Sequence, residues 1–322
     1  MILSVVVPTM NKVDLLRQTL AALREQDAGP GRPWEVVVVN DGSTDGTAAF
    51  LREIDGQGTA PLFRVVSPPH NVGRARARNL GAREARGEIL LFLDDDIVAP
   101  PGLVKAHLDM MAAFPGQGSI GYAVTDPQVA DAPHFAYLDS RGVAKLPAGE
   151  APARFFVTQN AAVPRAAFLA VGGFDEDFSS YGFEDMEVAF RMEDQAGLRF
   201  RALKHPVPRH VHHHTLDQYL DKKVECGRAS LRHLARLHPH RIREMQLHHV
   251  VDAPGIPGPG LLGRLIRAFS VLGLDTPLKA VLRRWPRDGQ ARPRLASRHH
   301  RLMDLLVLLC FRRGVRAGGG SS

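Results

Sequence analysis

The sequence predicts an α/β fold with a doubly wound, mostly parallel sheet, and two patterns support this prediction. Short apolar runs alternate three times with segments of helical spacing before residue 89, as expected where crossover helices cover both faces of a parallel sheet. The run 89–93 is then apolar at every position, which is typical of a central strand covered on both sides. With 322 residues, the chain has room for one large domain or two small ones.

The elements of this fold can be assigned in order along the chain. The first strand covers 3–7, and the helix at 12–26 has an apolar face formed by Leu15, Leu16, Leu20 and Leu23. The next elements are a strand at 34–39, a helix at 46–54, a strand at 62–66, a helix at 73–86, the strand at 89–93, a helix at 100–114 and a strand at 118–124. Prolines make 125–153 loop-rich, and 216–249 has a helical and basic pattern.

Acidic side chains follow two of the predicted strands. Asp94, Asp95 and Asp96 end the strand 89–93, and Asp41 follows the strand 34–39. Because open α/β sheets bind their ligands at the carboxyl ends of strands, we expect these carboxylates at one edge of the sheet. Adjacent carboxylates repel each other, and a divalent cation with oxygen ligands removes that repulsion. A solvated acidic turn is the alternative interpretation.

Two phosphate-binding motifs are absent from this sequence. The first strand is followed by Pro8-Thr9-Met10-Asn11-Lys12, without the glycines of a dinucleotide-binding G-x-G-x-x-G loop. No G-x-x-x-x-G-K-[ST] loop occurs either. A Rossmann dinucleotide site and a P-loop are therefore both disfavoured.

Charge is distributed unevenly along the chain. Residues 1–200 contain 18 Lys and Arg against 26 Asp and Glu, whereas residues 201–322 contain 23 against 8. The basic carboxyl-terminal third predicts an anionic partner: a membrane surface, a phosphorylated substrate or nucleic acid. Aromatic side chains are too scattered there to stack on bases, so no nucleic-acid partner is expected.

The cellular location is predicted from three features. Cys226 and Cys310 form neither a disulfide framework nor a metal-binding spacing, which favours a reducing compartment. The amino-terminal residues read as a strand and not as a leader peptide. No apolar run reaches the roughly 18–20 residues needed to cross a bilayer. We expect a cytoplasmic protein, and peripheral attachment to the inner face of the membrane stays open.

Two apolar runs in the carboxyl-terminal region, at 261–274 and 299–313, are interspersed with arginines. Leucines give the second run an apolar face. This second run predicts either an amphipathic helix lying on an anionic bilayer or a helix packed on the core. The segment 254–260 between these runs and the preceding helices is rich in Pro and Gly and predicts a linker.

Histidines are concentrated in one part of the sequence. Ten of the 15 lie between residues 205 and 249, which is consistent with metal binding or with a basic surface. His212 and His214 share one side of an extended segment, because side chains alternate along a strand. We expect one of these two to lie near a metal and leave open which one.

Six segments in a fixed order resemble the family 2 glycosyltransferases, which are inverting enzymes with the GT-A nucleotide-sugar fold. The matching segments are 4–12, 40–45, 71–81, 92–96, 172–185 and 211–228. The resemblance covers about residues 1–230. It implies a Rossmann-like, mostly parallel sheet flanked by helices, which in this chain precedes a basic, helical carboxyl-terminal extension.

The resemblance implies functions for the residues that match. The nucleotide contacts are Pro8, Thr9, Asp41, Arg78, Asp94 and Asp95, with Asp41 at the base and Asp94 or Asp95 at the ribose. The metal ligands are Asp96, Asp94 and His212, and the implied cation is Mn²⁺ or Mg²⁺. The catalytic base is Asp185, with Glu184 beside it, and the acceptor side includes Asn160 and Glu184.

The predicted function is that of a hexosyltransferase. It moves a sugar from a nucleoside diphosphate-sugar to a hydroxyl of a glycan, a lipid-linked or a small-molecule acceptor, with inversion and with a metal ion. The alternatives are a nucleotidyltransferase of related fold, which releases pyrophosphate, and a non-catalytic protein that binds a nucleotide sugar or an anionic surface. We predict a nucleotide-sugar-binding half at 1–122, an acceptor-binding and catalytic half at 123–250, and a basic helical region at 251–322.

Overall fold

The computed structural model describes residues 2–58, 61–130, 132–212, 214–286 and 292–319. Its strands, in chain order, are β1 Leu3–Thr9, β2 Trp34–Asn40, β3 Leu62–Val66, β4 Ile89–Leu93, β5 Ile97–Val98, β6 Gln117–Ile120, β7 Val124–Thr125, β8 Gly149–Ala151, β9 Asn160–Pro164, β10 Arg199–Ala202 and β11 Arg209–His210.

The α-helices are α1 Val13–Arg24, α2 Thr47–Ile54, α3 Arg74–Glu84, α4 Leu103–Ala113, α5 Pro133–Asp139, α6 Arg165–Ala170, α7 Glu184–Ala196, α8 Leu216–Arg228, α9 Ser230–Leu237, α10 Pro239–Glu244, α11 Leu261–Val271, α12 Asp275–Arg283 and α13 Pro293–Gly318. Short 3₁₀ helices lie at Gly142–Lys145, Ala153–Phe155 and Leu247–His249.

The larger sheet has eight strands in the order β3-β2-β1-β4-β9-β6-β10-β8. Strands β1 to β4 pair in parallel, and β10 is parallel to β6. Strand β9 runs antiparallel to both β4 and β6, and β8 runs antiparallel to β10. Six strands therefore point the same way, which confirms the predicted mostly parallel α/β sheet. Thr9 is in register with Asn40, so the loops after β1 and β2 leave the sheet at the same level.

The predicted strand at 118–124 is divided in the structure. Its first part is β6, and its end is β7, which pairs with β11 in a second sheet of order β5-β11-β7. The stretch 125–153, predicted to be loop-rich, contains α5 and β8. Proline did not prevent this helix, because Pro133 stands at its first position, where a missing backbone N–H costs nothing.

The chain forms two compact units. The first consists of Met1–Val129, Asp139–Glu176 and Val188–His213, and the second of Ala130–Leu138, Asp177–Glu187 and His214–Ser322. Both sheets belong to the first unit, where β1, β2 and β4 supply much of its apolar core. The predicted functional division at residues 122 and 250 stays a prediction.

The second unit has an apolar core of its own. It includes Leu220 of α8 and Met303, Leu306 and Cys310 of α13. The apolar face of the predicted helix 299–313 is therefore packed inside this unit, which decides between the two interpretations of that run. Among the described residues, no helix is both long enough and apolar enough to cross a membrane.

Candidate active site

The loops that follow β1 and β2 hold each other in place. Asp41 N donates a hydrogen bond to Thr9 O at 2.9 Å. Asn11 has a left-handed backbone with a φ of 55°, and its Oδ1 accepts from Thr44 N at 2.7 Å. Asp45 Oδ1 accepts from Thr47 N at the start of α2, at 2.9 Å. Side chains of Asn and Asp thus fix the shape of these loops, as such residues commonly do in turns.

Asp41 is buried, and both of its carboxylate oxygens accept hydrogen bonds from the segment before α3. Oδ1 accepts from Val72 N at 2.7 Å, and Oδ2 accepts from Gly73 N and Asn71 Nδ2, each at 3.0 Å. Two of the segments that carry the family resemblance, 40–45 and 71–81, are therefore joined through one carboxylate. A direct contact between Asp41 and a nucleotide base stays a prediction.

The three carboxylates that end β4 have different partners. Asp94 Oδ1 accepts from Arg78 Nη2 at 2.8 Å, and the Arg78 side chain is buried on α3. Asp95 Oδ2 accepts from Thr9 Oγ1 at 2.7 Å, while the Asp95 backbone carbonyl accepts from Thr19 at 2.9 Å. Residues of β1, α1 and α3 thereby hold the acidic end of β4 in one arrangement.

Lys12 links two members of this acidic cluster. Its Nζ lies 3.0 Å from Asp95 Oδ1 and 2.8 Å from Asp96 Oδ2. Burial alone would lower the pKa of Lys12, but the charges of Asp96 and Asp95 outweigh it and raise that pKa. Burial raises the pKa of Asp95 against the opposing effect of Lys12. Lys12 therefore supplies a positive charge to a buried pair of carboxyl groups that would otherwise repel each other.

His210 is the histidine that the structure places against Asp96. Strand β11 pairs with β5 so that His210 is opposite Ile97, and Val211 N donates to Asp96 O at 3.0 Å. His210 Nε2 lies 3.2 Å from Asp96 Oδ1. Burial opposes ionisation of Asp96, but the neighbouring His210 and Lys12 outweigh it and hold the pKa of Asp96 well below its ordinary value. Asp96 Oδ1 accepts no well-aligned hydrogen bond from the described residues.

The two histidines favoured by the sequence belong to different units. His212 is half-buried and follows Val211 in the segment beside Asp96. His214 belongs to the second unit, where its Nε2 lies 2.6 Å from Lys222 Nζ and its carbonyl oxygen 3.1 Å from His134 Nε2. Assignment of a metal ligand to His212 stays a prediction.

Asn160, assigned to the acceptor side, has its side chain engaged inside the first unit. It is 1% exposed, its Oδ1 lies 2.8 Å from His107 Nε2, and its Nδ2 donates to Tyr122 O at 3.3 Å. The other ring nitrogen of His107 lies 2.5 Å from Ser119 Oγ. These contacts show that the Asn160 side chain links His107 to the backbone at Tyr122. A contact between Asn160 and the acceptor stays a prediction.

The buried His107 leads to a prediction about acid stability. Burial lowers its pKa to about 4, whereas an exposed histidine in the unfolded chain titrates near pH ~6.5. Between these values the unfolded chain binds the proton, so the contribution of His107 to the free energy of unfolding falls by about 2 kcal/mol from pH 8 to pH 5. Urea denaturation at both pH values should therefore show a smaller acid-induced loss for His107→Gln than for the wild type. An equal loss would contradict this.

Asn79 connects α3 to the segment 172–176. Its Nδ2 donates to Phe174 O at 2.9 Å, and its Oδ1 accepts from Phe174 N at 2.8 Å. Gly173 has a φ of 74°, and a Cβ added there would lie 2.4 Å from Asn79 Oδ1. Glycine is thus required at position 173 by the backbone conformation and by the close approach of Asn79.

The predicted catalytic carboxylates, Glu184 and Asp185, belong to the second unit. Glu184 is 6% exposed, whereas Asp185 is half-buried. Both stand in the first turn of α7, where acidic side chains interact favourably with the helix dipole. Asp185 is therefore the better placed of the two to contact a substrate, and its role stays a prediction.

A strained turn precedes these carboxylates. Gly182 has a φ of 90° and Phe183 a φ of 72°. A positive φ is rare for a bulky residue such as Phe183 and is often associated with functional sites. Contacts with α8 fix the turn, since Cys226 Sγ donates to Tyr181 O at 2.9 Å and Tyr181 N donates to Glu225 Oε1 at 3.1 Å.

Gly182→Ala should disturb this turn. An added Cβ would lie 2.7 Å from Cys226 Sγ at a backbone angle that disfavours side chains, so we expect a loss of about 1–3 kcal/mol in unfolding free energy. Gly255→Ala is the matched control, because Gly255 has a φ of 68° with no atom within 4 Å of its added Cβ. If the two variants lose equal stability, the contact with Cys226 is unimportant.

Comparison with known proteins identifies the family. The sequence matches the model of glycosyl transferase family 2 over residues 4–168. The chain belongs to this family. A second family model, described as the N-terminal domain of galactosyltransferase, matches residues 146–215 of this family 2 glycosyltransferase. The resemblance predicted from the six segments is confirmed.

Named relatives of this family 2 glycosyltransferase include a validoxylamine A glucosyltransferase from Streptomyces hygroscopicus subsp. limoneus. It is 33% identical over 225 residues, which are 59% of this chain and 48% of that protein. The uncharacterized glycosyltransferase YfnE of Bacillus subtilis is 27% identical over 303 residues, covering 79% of this chain and 74% of that protein. The chain thus spans about half the length of the validoxylamine A enzyme.

Solved structures similar to this family 2 glycosyltransferase share its fold. A mannosyltransferase from Pyrobaculum calidifontis, in complex with GDP-Man and Mn²⁺, superposes with a TM-score of 0.62 at 21% identity, covering 97% of this chain and 86% of that one. TarS 1–349 of S. aureus in complex with UDP-GlcNAc gives a TM-score of 0.55 at 18% identity, covering 99% and 92%. The GT-A fold predicted from the resemblance is confirmed.

The structure of this family 2 glycosyltransferase brings many of the predicted site residues together. In the first unit, Thr9 hydrogen-bonds to Asp95, Lys12 joins Asp95 to Asp96, and Arg78 hydrogen-bonds to the adjacent Asp94. Pro8 precedes Thr9 on β1. Sequence reasoning missed Lys12 and His210. The charge of Lys12 next to a predicted acidic site was an available signal, whereas the pairing of β11 with β5 was not.

Proposed function

We propose that this family 2 glycosyltransferase transfers a hexose from a nucleoside diphosphate-sugar to an acceptor hydroxyl, with inversion at the anomeric carbon and with a divalent cation. The observation that supports this most strongly is the cluster formed by Thr9, Lys12, Arg78 and the end of β4. It lies at the carboxyl edge of a parallel sheet, where α/β folds bind nucleotides. Its cationic and anionic side chains can bind a diphosphate and its counter-ion.

The residues present fit a divalent cation. Asp96 is buried, the neighbouring His210 and Lys12 hold its pKa below the ordinary value, and its Oδ1 accepts no well-aligned hydrogen bond from the described residues. Its neighbour His210 adds an imidazole nitrogen, and carboxylate with imidazole suits Mn²⁺ and, less closely, Mg²⁺. We propose that Asp96 and His210 hold the cation, with Asp94 and His212 as further ligands. When bound, the cation supplies positive charge near the leaving diphosphate.

The residues of the chain account for the remaining chemistry. The acceptor oxygen forms a bond with the anomeric carbon while the bond from that carbon to the diphosphate oxygen breaks, and the diphosphate leaves with the electron pair. The acceptor proton moves to the Asp185 carboxylate, which acts as a general base. Arg78, buried beside Asp94, orients that carboxylate toward the nucleotide. Attack from the face opposite the leaving group inverts the anomeric carbon.

The names of the relatives bear on the acceptor of the reaction. Named relatives include the validoxylamine A glucosyltransferase and a chondroitin synthase from Escherichia coli. Both names refer to carbohydrate-related products, and we propose a hydroxyl of a sugar-like molecule as the acceptor group. We also propose that 1–122 contributes the nucleotide side and 123–250 the acceptor side.

A donor screen tests the proposed function. Thermal unfolding is measured with UDP, GDP, dTDP and their sugars, each with and without Mn²⁺, and release of nucleoside diphosphate is then measured with sugar acceptors. We expect one nucleotide to raise Tm much more with Mn²⁺ than without it, because anything that binds only the folded state stabilises it. Stabilisation by none of them, or release of pyrophosphate instead, would contradict the proposal.

Lys12→Met should increase the affinity for Mn²⁺ in the absence of nucleotide. The Lys12 ammonium now contacts both Asp95 and Asp96, so a cation that binds Asp96 must compete with it. We expect roughly tenfold tighter binding, equivalent to about 1.4 kcal/mol, measured from the free Mn²⁺ signal in electron paramagnetic resonance. In EDTA the variant should have a lower Tm than the wild type, because two buried carboxyl groups lose their counter-ion.

Lys105→Met is the control for Lys12→Met. Lys105 pairs with Asp109 on an exposed turn of α4 at 2.5 Å, and exposed pairs of this kind contribute little to stability. The control should bind Mn²⁺ as the wild type does. Unchanged or weaker Mn²⁺ affinity in Lys12→Met would show that Lys12 does not compete with the cation.

A further inference from the structure

Helix α11, the turn that follows it and helix α12 expose a group of large aliphatic side chains. Leu261 is 71% exposed and Leu272 is 70% exposed. We define the apolar surface as the seven exposed aliphatic residues of this region: Leu261, Leu262, Leu265, Val271, Leu272, Leu274 and Val281. A group of this size on one short segment is unusual for a surface that faces only water.

The orientation of α11 is fixed by contacts on its opposite side. Ile266 and Ser270 are buried, and Arg316 of α13 donates to Ser270 O at 3.0 Å. A Cβ added to Gly263 would lie 3.1 Å from His249 Nδ1 and 3.2 Å from His249 Cα, which shows how closely α11 approaches the 3₁₀ helix Leu247–His249. Since residues three, four and seven apart share a helix face, Leu261, Leu265 and Leu272 point away from this packed side.

The carboxyl-terminal region that carries the apolar surface has a positive net charge. Arg264 on α11 and Arg284 at the end of α12 are exposed. Residues 251–322 contain 13 Lys and Arg against 4 Asp and Glu. A second copy of this chain would present the same basic surface and be repelled, whereas an anionic bilayer would attract it.

We propose that the apolar surface docks this enzyme on an anionic lipid bilayer. The leucines of α11 and the turn 271–274 enter the boundary between headgroups and acyl chains, while Arg264 and Arg284 contact lipid phosphates. Buried apolar area combined with attraction to anionic lipid is the usual basis of peripheral helix binding. The sequence suggested such a role for the run 299–313, but the core of the second unit includes Met303 and Leu306 of that run.

Vesicle sedimentation with the full chain tests this proposal. We expect binding to vesicles of phosphatidylcholine with phosphatidylglycerol, and weak binding to phosphatidylcholine alone. The variant with Leu261→Ser, Leu265→Ser and Leu272→Ser should bind the anionic vesicles roughly tenfold more weakly or worse, because it loses the inserted apolar area. Leu237→Ser is the matched control, since Leu237 of α9 is 45% exposed in the same unit. It should bind as the wild type does.

A second variant separates charge from apolar insertion. Arg264→Glu with Arg284→Glu keeps the leucines, should remain folded because both side chains are exposed, and should also weaken binding to anionic vesicles. Salt at ~0.5 M should weaken wild-type binding because it screens the attraction. Failure of the wild type to bind, equal binding to neutral vesicles, or an unaffected leucine variant would overturn the proposal. A wild-type dimer that the leucine variant converts to a monomer would overturn it in favour of self-association.

Discussion

Asp185→Asn is expected to lower the rate of sugar transfer by a factor of about 10²–10⁴, the usual contribution of a positioned general base. The substitution keeps the size of the side chain at the first turn of α7 and removes its ability to accept the acceptor proton. Of the two adjacent carboxylates, Asp185 is the half-buried one, whereas Glu184 is 6% exposed. The rate is measured as release of nucleoside diphosphate under saturating donor and acceptor.

Measuring nucleotide affinity distinguishes loss of the general base, Asp185, from loss of the folded structure. The cluster around the end of β4 belongs to the first unit and Asp185 to the second, so Asp185→Asn should bind nucleoside diphosphate as tightly as the wild type. Asp194→Asn provides a matched control, because Asp194 lies on α7 and is exposed; it should retain transfer. Near wild-type transfer by Asp185→Asn would show that another group takes the proton.

The general architecture was predictable because it depends on local patterns. Unbroken apolar runs identified the central strands, and loops of Asp, Asn, Ser and Gly marked their carboxyl ends. Asp41 and the end of β4 could be assigned to one sheet edge from topology alone, without knowledge of any contact. The structure adds that Asp41 accepts its hydrogen bonds from 71–73. This segment is distant from Asp41 in the sequence, and no periodic pattern connects the two.

The details of the candidate site were less predictable because they depend on pairing between distant short segments. Strand β11 has two residues and pairs with β5, which also has two. Such strands have no periodicity to read, so His210 could not be distinguished from the nine other histidines of 205–249. Lys12 was read only as part of the turn after β1, since nothing local shows that its side chain reaches Asp95 and Asp96.

The two carboxyl-terminal apolar runs, 261–274 and 299–313, show that the sequence does not predict which helix face is buried. Both have leucines at helical spacing together with arginines, and the sequence does not say which face will find a partner. Burial of Leu306 in the core of the second unit and exposure of Leu261 separate them. Amphipathic spacing therefore identified the helices, but only tertiary packing identified the surface that is left for another partner.

Asp96→Asn is expected to abolish the stimulation of transfer by Mn²⁺ and to lower the rate by a factor of about 10²–10³, because a bound cation provides several kcal/mol of charge stabilisation at the leaving group. The substitution keeps the side-chain volume, and the amide oxygen can still accept from Lys12. Metal-dependent stabilisation by the nucleotide should be lost in thermal unfolding, unlike in Asp185→Asn, which should retain it.

The control for Asp96→Asn is Asp109→Asn in the same unit. Asp109 also accepts from a lysine and an arginine, at 2.5 Å from Lys105 and 2.6 Å from Arg32, but it lies on an exposed surface. It should retain both Mn²⁺ stimulation and nucleotide binding, because its ion pairs are solvent-screened. If Asp96→Asn retained full stimulation by Mn²⁺, the cation would have to bind elsewhere, and the pairing of Asp96 with Lys12 and His210 would serve the fold alone.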